Sequence, residues 1–148
     1  MVETKIEGIE KILEKLRNTD MKQSPVLGHA LASWLTRSAR MRILKTKTAP
    51  DGTKWTPLSP STLRNLEKTK ASGSLLYRTG MLHRSVGYHL SLWRKGVIIL
   101  EDKMNYSRYL QEGTHKMLAR PYLGVSKEDH RKLTDLTLEY LKKILGED

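Results

Sequence analysis

The residue types best suited to metal binding or nucleophilic catalysis are scattered along this chain. Its five histidines are His29, His83, His89, His115 and His130. No two of them have the spacing of a zinc site with a third ligand nearby. The chain has no cysteine, which excludes disulfides, thiolate metal sites and cysteine nucleophiles and fits a reducing compartment. The sequence therefore predicts no metal ion.

Acidic side chains and glycine-rich turns also lack a catalytic pattern. Glu101-Asp102 and Glu128-Asp129 are adjacent pairs, so their side chains point in different directions on a strand or a helix. The sequence contains no phosphate-binding loop, no dinucleotide-binding turn and no Gly-x-Ser-x-Gly elbow. We therefore expect a protein that is not an enzyme, has no catalytic residue and binds no cofactor.

Charge is the strongest signal in the composition. The 148 residues include 27 Lys and Arg against 16 Asp and Glu, a formal net charge of +11. The densest basic run supplies the candidate contacts to DNA or to an acidic partner: Arg37, Arg40, Arg42, Lys45 and Lys47. Phosphate attraction is largely independent of base sequence. This charge therefore fits either non-specific DNA contact or an ordinary solvated surface.

The three tryptophans could pack in a core or serve as stacking platforms. Trp34 lies on the apolar face of a predicted helix, which favours core packing. Trp93 ends a predicted strand, where it either packs or is exposed. Trp55 lies in a polar loop, where it either anchors the loop to the body or contacts a partner.

Length and periodicity predict the architecture that must position these residues. A chain of 148 residues with 38% hydrophobic residues fits a single globular domain, residues 1–148. No apolar run approaches the roughly 20 residues of a membrane span, and the first residues lack the core of a signal peptide. We therefore expect a protein that is soluble, made inside the cell and without a membrane partner.

Helical spacing of apolar residues and capping signals predict four main helices. They lie at residues 3–17 (within a segment, 3–20, that is expected to be semi-detached), 25–45, 60–68 and 127–145. Ser-Pro pairs start the second and third helices. Ser126 and Asp129 resemble a capping box at the start of the last. Shorter helical turns are predicted at 79–84 and 106–113.

Between the helices the pattern changes, and apolar residues recur at every second position. Alternating apolar residues predict two strands, at 86–93 and 97–100, around a turn at 94–96. A further extended segment is predicted at 118–123, and Pro121 indicates that it is an edge strand or loop. This predicts an α+β fold, with a small antiparallel sheet and helices packed on one face. The polar segments 46–59 and 69–74 contain glycine and lack periodic apolar residues, so they are predicted mobile loops.

Four segments resemble the phage virion morphogenesis family, the tail completion proteins of contractile-tailed, Mu-like phages and prophages. Residues 49–59 are similar to its Pro-Asp-Gly-x-x-Trp-x-Pro-Leu-Ser signature, and residues 75–82 to Leu-x-x-Thr-Gly-x-Leu. Residues 106–114 resemble Tyr-Ala-x-x-His-Gln-x-Gly, and residues 119–124 resemble Ala-Arg-Pro-Phe-Leu-Gly. The four segments occur in the family's order.

The resemblance implies a non-enzymatic virion component that completes the tail and joins it to the DNA-filled head, in a ring around the DNA channel. Its partners would be further copies and other head–tail connector or tail-terminator proteins. Its location would be the virion neck or tail, after assembly in the host cytoplasm. The candidate interface or motif residues are Asp51, Gly52, Trp55, Pro57, Tyr77, Arg78, Gly80, Tyr106, Gly113, Arg120, Pro121 and Tyr122.

Two other classes of protein compete with this interpretation. A small basic DNA-binding protein would explain the charge of +11 but not the tryptophan loop or the Ala-Arg-Pro-Tyr-Leu-Gly segment. A phage-borne nuclease is disfavoured because the sequence lacks clustered metal ligands.

Overall fold

The computed structural model describes residues 24–69 and 74–145. The predicted helix at 3–17, its segment 3–20, and residues 70–73 of the second predicted loop lie outside the described residues. The described elements are α1 (Ser24–Met41) with a π-helical continuation (Arg42–Thr46), α2 (Pro60–Lys68), α3 (Met81–Ser85), β1 (Val86–His89), β2 (Ile99–Asp102), α4 (Ser107–Glu112) and α5 (Lys127–Leu145).

The two strands form an antiparallel pair beneath the long helices. Val86 lies opposite Asp102, and His89 lies opposite Ile99. Helix α1 packs against both strands, and α5 packs chiefly against α1. The Tyr88 hydroxyl contacts α1 through His29 Nδ1 at 3.0 Å. This confirms the predicted α+β fold, in which α5 forms a second layer over α1.

The strands are shorter than their sequence period predicts. Alternation extends over residues 86–93, whereas pairing ends at His89, and a 3₁₀ turn occupies Trp93–Lys95. The reason is a tertiary contact: Trp93 is buried, and a Cβ added at Gly28 of α1 would lie 2.9 Å from its indole. Trp93 therefore packs on α1, and the return strand starts only at Ile99.

The core follows a stripe of α1 and its π-helical continuation in which every fourth residue is buried. The stripe consists of Leu27, Leu31, Leu35, Ala39 and Ile43. It packs with Val86, Ile98, Leu100 and Tyr122 in one hydrophobic cluster. At the end of α1 the π-helical segment, which has a wider turn than an α-helix, has both Arg42 and Ile43 buried.

A buried ion pair joins the end of α1 to the start of α5. Arg42 Nη2 lies 2.5 Å from Asp129 Oδ2, and the two side chains are 6% and 3% exposed. Arg42 Nη1 donates to the carbonyl oxygens of Tyr122 and Gly124, each at 3.0 Å. Arg42 is therefore an internal anchor, and its burial disfavours the predicted contact with DNA or an acidic partner.

Asp129 also caps its own helix. Its Oδ2 accepts hydrogen bonds from the backbone N and the hydroxyl of Ser126, at 2.9 and 2.8 Å. The Ser126 hydroxyl oxygen in turn accepts from the backbone N of Asp129 at 3.0 Å. These reciprocal bonds confirm the predicted capping box with Asp in place of Glu.

Candidate functional site

The tryptophan loop is fastened to the Ala-Arg-Pro-Tyr-Leu-Gly segment. Trp55 is only 6% exposed, and its Nε1 donates to the carbonyl oxygen of Pro121 at 3.0 Å. Arg120 reaches the same loop, with its Nη2 3.2 Å from the carbonyl oxygen of Thr56. These contacts favour the anchoring alternative for Trp55, since its indole lies inside the subunit.

The segment that receives Trp55 is itself held by α4. The amide oxygen of Gln111 accepts hydrogen bonds from the backbone N of Tyr122 at 3.1 Å and of Leu123 at 3.2 Å. Residues 118–123 form no strand, so these side-chain bonds replace a sheet ladder. Gln111 belongs to the third motif, but its role was not apparent from sequence because its partners lie 11 and 12 residues away.

Tyr122 completes this internal connection. Its ring is buried, and its hydroxyl donates to Asp102 Oδ2 on β2 at 2.8 Å. Burial is the main cause that raises the pKa of Tyr122 far above its usual range, and the adjacent Asp102 carboxylate adds to the shift. The hydroxyl therefore stays protonated and acts as a fixed donor between the segment and the sheet.

Two motif glycines occupy backbone conformations that other residues rarely adopt. Gly113 ends α4 with φ of 77°, and a Cβ there would lie 2.8 Å from the backbone N of Ala119. Gly80 precedes α3 with φ of 73°, and its Cβ would approach the Tyr77 hydroxyl to 3.2 Å. Both positions thus shape the turns that bring the motifs together.

The tip of the 46–59 loop is exposed although its base is anchored. A bridge between Thr48 and Lys54 closes the tip, and Asp51 Oδ1 accepts from the backbone N of Thr53 at 2.8 Å. Hydrogen bonds from Thr53 lower the pKa of Asp51, which keeps it ionised. Asp51, Gly52 and Pro57 all face solvent. The mobility predicted for this loop stays a prediction, as does that of residues 69–74.

The remaining motif residues meet in a groove of about 450 Å³ between α2, the start of α3 and α4. Four predicted site residues line it: Tyr77, Arg78, Gly80 and Tyr106. The apolar part of the lining comes from Leu58, Leu66, Leu76, Met81, Leu82 and Leu110. Motifs that are far apart in the sequence thus form one surface, which we call the motif groove.

In the described part of the subunit, the motif groove has exposed apolar side chains. Met81 is 51% exposed and Tyr106 is 42% exposed. Helix α2, which forms one wall, has nine residues and no buried side chain. Helices this short are marginal without tertiary packing, and exposed apolar patches commonly mark interaction sites. The groove therefore has the properties of a protein-binding surface.

A model of the phage virion morphogenesis family matches residues 4–142. The chain belongs to the phage virion morphogenesis family. The match spans all four motifs and confirms the resemblance seen in the sequence. Comparison with curated proteins and with solved structures gave no significant match. Membership indicates a phage virion morphogenesis protein and suggests that it is virion-associated.

In this virion morphogenesis protein the basic run is divided between surface and interior. Arg37 and Lys45 are exposed. Arg40 is half-buried and its Nη2 donates to the Val86 carbonyl oxygen at 2.8 Å. Lys47 Nζ donates to the carbonyl oxygens of Ile43 and Leu75, and partial burial lowers its pKa.

The described residues contain neither a cluster of metal ligands nor a membrane-spanning helix. Within residues 24–69 and 74–145, no three His, Asp or Glu side chains are grouped so that they could hold a metal ion. In the same part of the chain, no helix combines the length and apolar character needed to cross a bilayer.

Proposed function

We propose that this virion morphogenesis protein completes the phage tail and joins it to the DNA-filled head, as one subunit of a ring around the DNA channel. The division of the motif residues carries this proposal. One set, typified by Trp55 and Tyr122, connects loops inside the subunit. The other set, typified by Tyr77 and Tyr106, lines an uncovered apolar groove. Such a division suits a subunit that presents a rigid surface to its neighbours.

The proposed occupant of the motif groove is a neighbouring copy of the same chain. A closed ring pairs one surface of each subunit with a different surface of the next. The groove would be the first surface. The exposed apolar side chains Val26 on α1 and Leu138 on α5 belong to other elements and are candidates for the second.

The outer faces of such a ring would meet other head–tail connector or tail-terminator proteins. The exposed side chains of Arg37 and Lys45 would be repeated around the ring. Their charge suits acidic neighbouring proteins or the sugar–phosphate backbone of the exiting DNA. The alternative, a DNA-binding protein acting alone, is less well supported, since Arg40, Arg42 and Lys47 make internal hydrogen bonds.

Substitution of Met81 by Glu tests the motif groove. Because Met81 is 51% exposed, we expect the melting temperature of the free subunit to change little. Burying a carboxylate in an apolar interface is energetically unfavourable, so the efficiency with which the protein joins heads to tails should fall at least about tenfold. The measurement is the yield of infectious particles after the purified protein is added to separate heads and tails.

Leu118→Glu provides the matched control for Met81→Glu. Leu118 is also exposed but lies outside the motif groove, so this variant should join heads and tails as the parent does. Equal loss of joining in the two variants, or full activity of Met81→Glu, would show that the groove is not the interface.

A further inference from the structure

A second recess lies where α1 passes α3 and β1. Its volume is about 480 Å³. Its lining side chains include Ser33, Thr36, Arg37, Arg40, Met41 and His83, with Tyr88 of β1 beside them. None of these residues lines the motif groove. We call this recess the α1 recess.

Two polar atoms of residues that line the α1 recess have no hydrogen-bond partner. Thr36 is 7% exposed. Its Oγ1 atom and the Nε atom of Arg40 are both buried, and neither has a hydrogen-bond partner among the described residues. Buried polar atoms nearly always have partners. Thr137 on α5 shows the usual arrangement, in which the hydroxyl of a buried helical Thr donates to the carbonyl oxygen of Leu133 at 2.7 Å. Thr36 departs from this pattern.

The charge around the α1 recess is positive. The Arg40 guanidinium is held in place because Nη2 donates to the Val86 carbonyl oxygen at 2.8 Å, and Arg37 is exposed beside it. Burial lowers the pKa of His83, and the nearby charges of Arg40 and Arg84 lower it further. Arg84 therefore adds a further positive charge near His83.

No acidic side chain balances this charge from within the recess. Among the described residues that line it there is no Asp or Glu. Glu101 lies opposite Gly87 in the sheet, but its carboxylate contacts His89 Nε2 at 2.7 Å and Lys103 Nζ at 3.5 Å. The donors of the α1 recess therefore lack an anionic partner in the described part of the subunit.

We propose that the α1 recess binds the carboxylate side chain of an acidic partner protein. A carboxylate matches the planar guanidinium of Arg40. Arg40 Nε and the Thr36 hydroxyl are buried in the free subunit, so the surrounding side chains have to move slightly on binding for the carboxylate to accept hydrogen bonds from them. Met41 and the Tyr88 ring offer apolar contact to the methylene stem. Duplex phosphates lie on a convex rod and would meet exposed cations at the rim, whereas a flexible acidic side chain can enter the recess. This proposal extends the contact proposed above between Arg37 and acidic neighbouring proteins. It concerns a surface other than the motif groove, so its peptide-binding test can fail without affecting the head–tail joining assay.

Thr36→Val tests the α1 recess with a labelled hexaglutamate peptide as probe. Valine keeps the shape of threonine and removes only the hydroxyl. We expect the peptide's dissociation constant, measured by fluorescence anisotropy at fixed salt, to rise about three- to tenfold. The melting temperature should stay the same or rise, because an unpartnered buried hydroxyl is removed.

A pair of charge variants separates the recess from general electrostatics. Arg37→Gln should weaken peptide binding at least as much as Thr36→Val. Arg94→Gln removes the same charge in the exposed turn between the strands and should change the dissociation constant by less than about twofold. Unchanged binding by Thr36→Val, or equal loss in the two arginine variants, would overturn the proposal.

Binding of a short DNA duplex shows whether the α1 recess takes a carboxylate or a phosphate. If the α1 recess is specific for carboxylates, Thr36→Val should leave the affinity for a short duplex unchanged. If the same substitution weakens duplex binding by the same factor as peptide binding, the recess takes phosphate and the proposal is overturned.

Discussion

Replacement of Arg42 by Met is expected to lower the free energy of unfolding by about 3–5 kcal/mol. The substitution leaves the Asp129 carboxylate, 3% exposed, without its guanidinium. It also removes the donor from the carbonyl oxygens of Tyr122 and Gly124. Both α5 and the 119–124 segment would lose the polar contacts that Arg42 makes with them, although α5 would still pack against α1. Urea unfolding followed by circular dichroism measures the change.

The pH dependence of stability gives the same experiment a second readout. Burial alone would raise the pKa of Asp129, but hydrogen bonds from Ser126 and Ser38, together with the charge of Arg42, outweigh burial and lower it. A carboxyl whose pKa is lower in the folded state adds stability above its ordinary pKa of 3.8, and that stability is lost as the pH falls through the folded value. The parent protein should therefore lose stability below about pH 4. The Arg42→Met variant should lose less stability over the same pH range, because Arg42 is one of the groups that lower the pKa of Asp129.

Removal of both charges is the control for Arg42→Met. The double variant Arg42→Met, Asp129→Asn should be more stable than Arg42→Met alone, because no unpaired buried charge remains. A loss below about 1 kcal/mol in Arg42→Met, with unaltered acid sensitivity, would show that the ion pair does not hold α5 in place.

Replacement of Trp55 by Ala should also lower the free energy of unfolding by about 3–5 kcal/mol. The indole is buried, and its Nε1 bond to the Pro121 carbonyl oxygen joins two loops that are 66 residues apart. Trp55→Phe keeps most of the ring and loses this hydrogen bond, so it should cost about 1 kcal/mol. Thermal unfolding of the purified subunits measures both effects.

Joining assays on the same Trp55 variants separate anchoring from partner contact. If Trp55 anchors its loop, joining should decline only as the folded fraction declines. If the Trp55→Ala subunit instead has the parent's melting temperature but fails to join heads to tails, the indole contacts a partner. Parental melting with parental joining would contradict both roles.

The main helices could be predicted from sequence because their signals are local. Ser59 caps α2, where its hydroxyl accepts from the backbone N of Thr62 at 3.3 Å, and Ser126 with Asp129 caps α5. Apolar spacing likewise indicated which face of α1 enters the core. Each of these features depends on residues within one or two turns of the chain.

The features that sequence reasoning missed depend on distant contacts. Arg42 lies in a run of basic residues that suggests a solvated surface, yet its partner Asp129 is 87 residues away. Trp93 shortens the hairpin by packing on Gly28, 65 positions earlier in the sequence. The motif groove combines three separate segments, so its residues could be named individually from motifs but not assigned to one surface.

Electron microscopy of particles made by a phage that lacks this gene tests the assembly role most directly. We expect DNA-filled heads and full-length tails that remain separate. Addition of the purified protein should rejoin them, whereas addition of Met81→Glu should not. Joined, infectious particles in the absence of the gene, or an accumulation of empty, unfilled heads, would contradict a role in tail completion and head–tail joining.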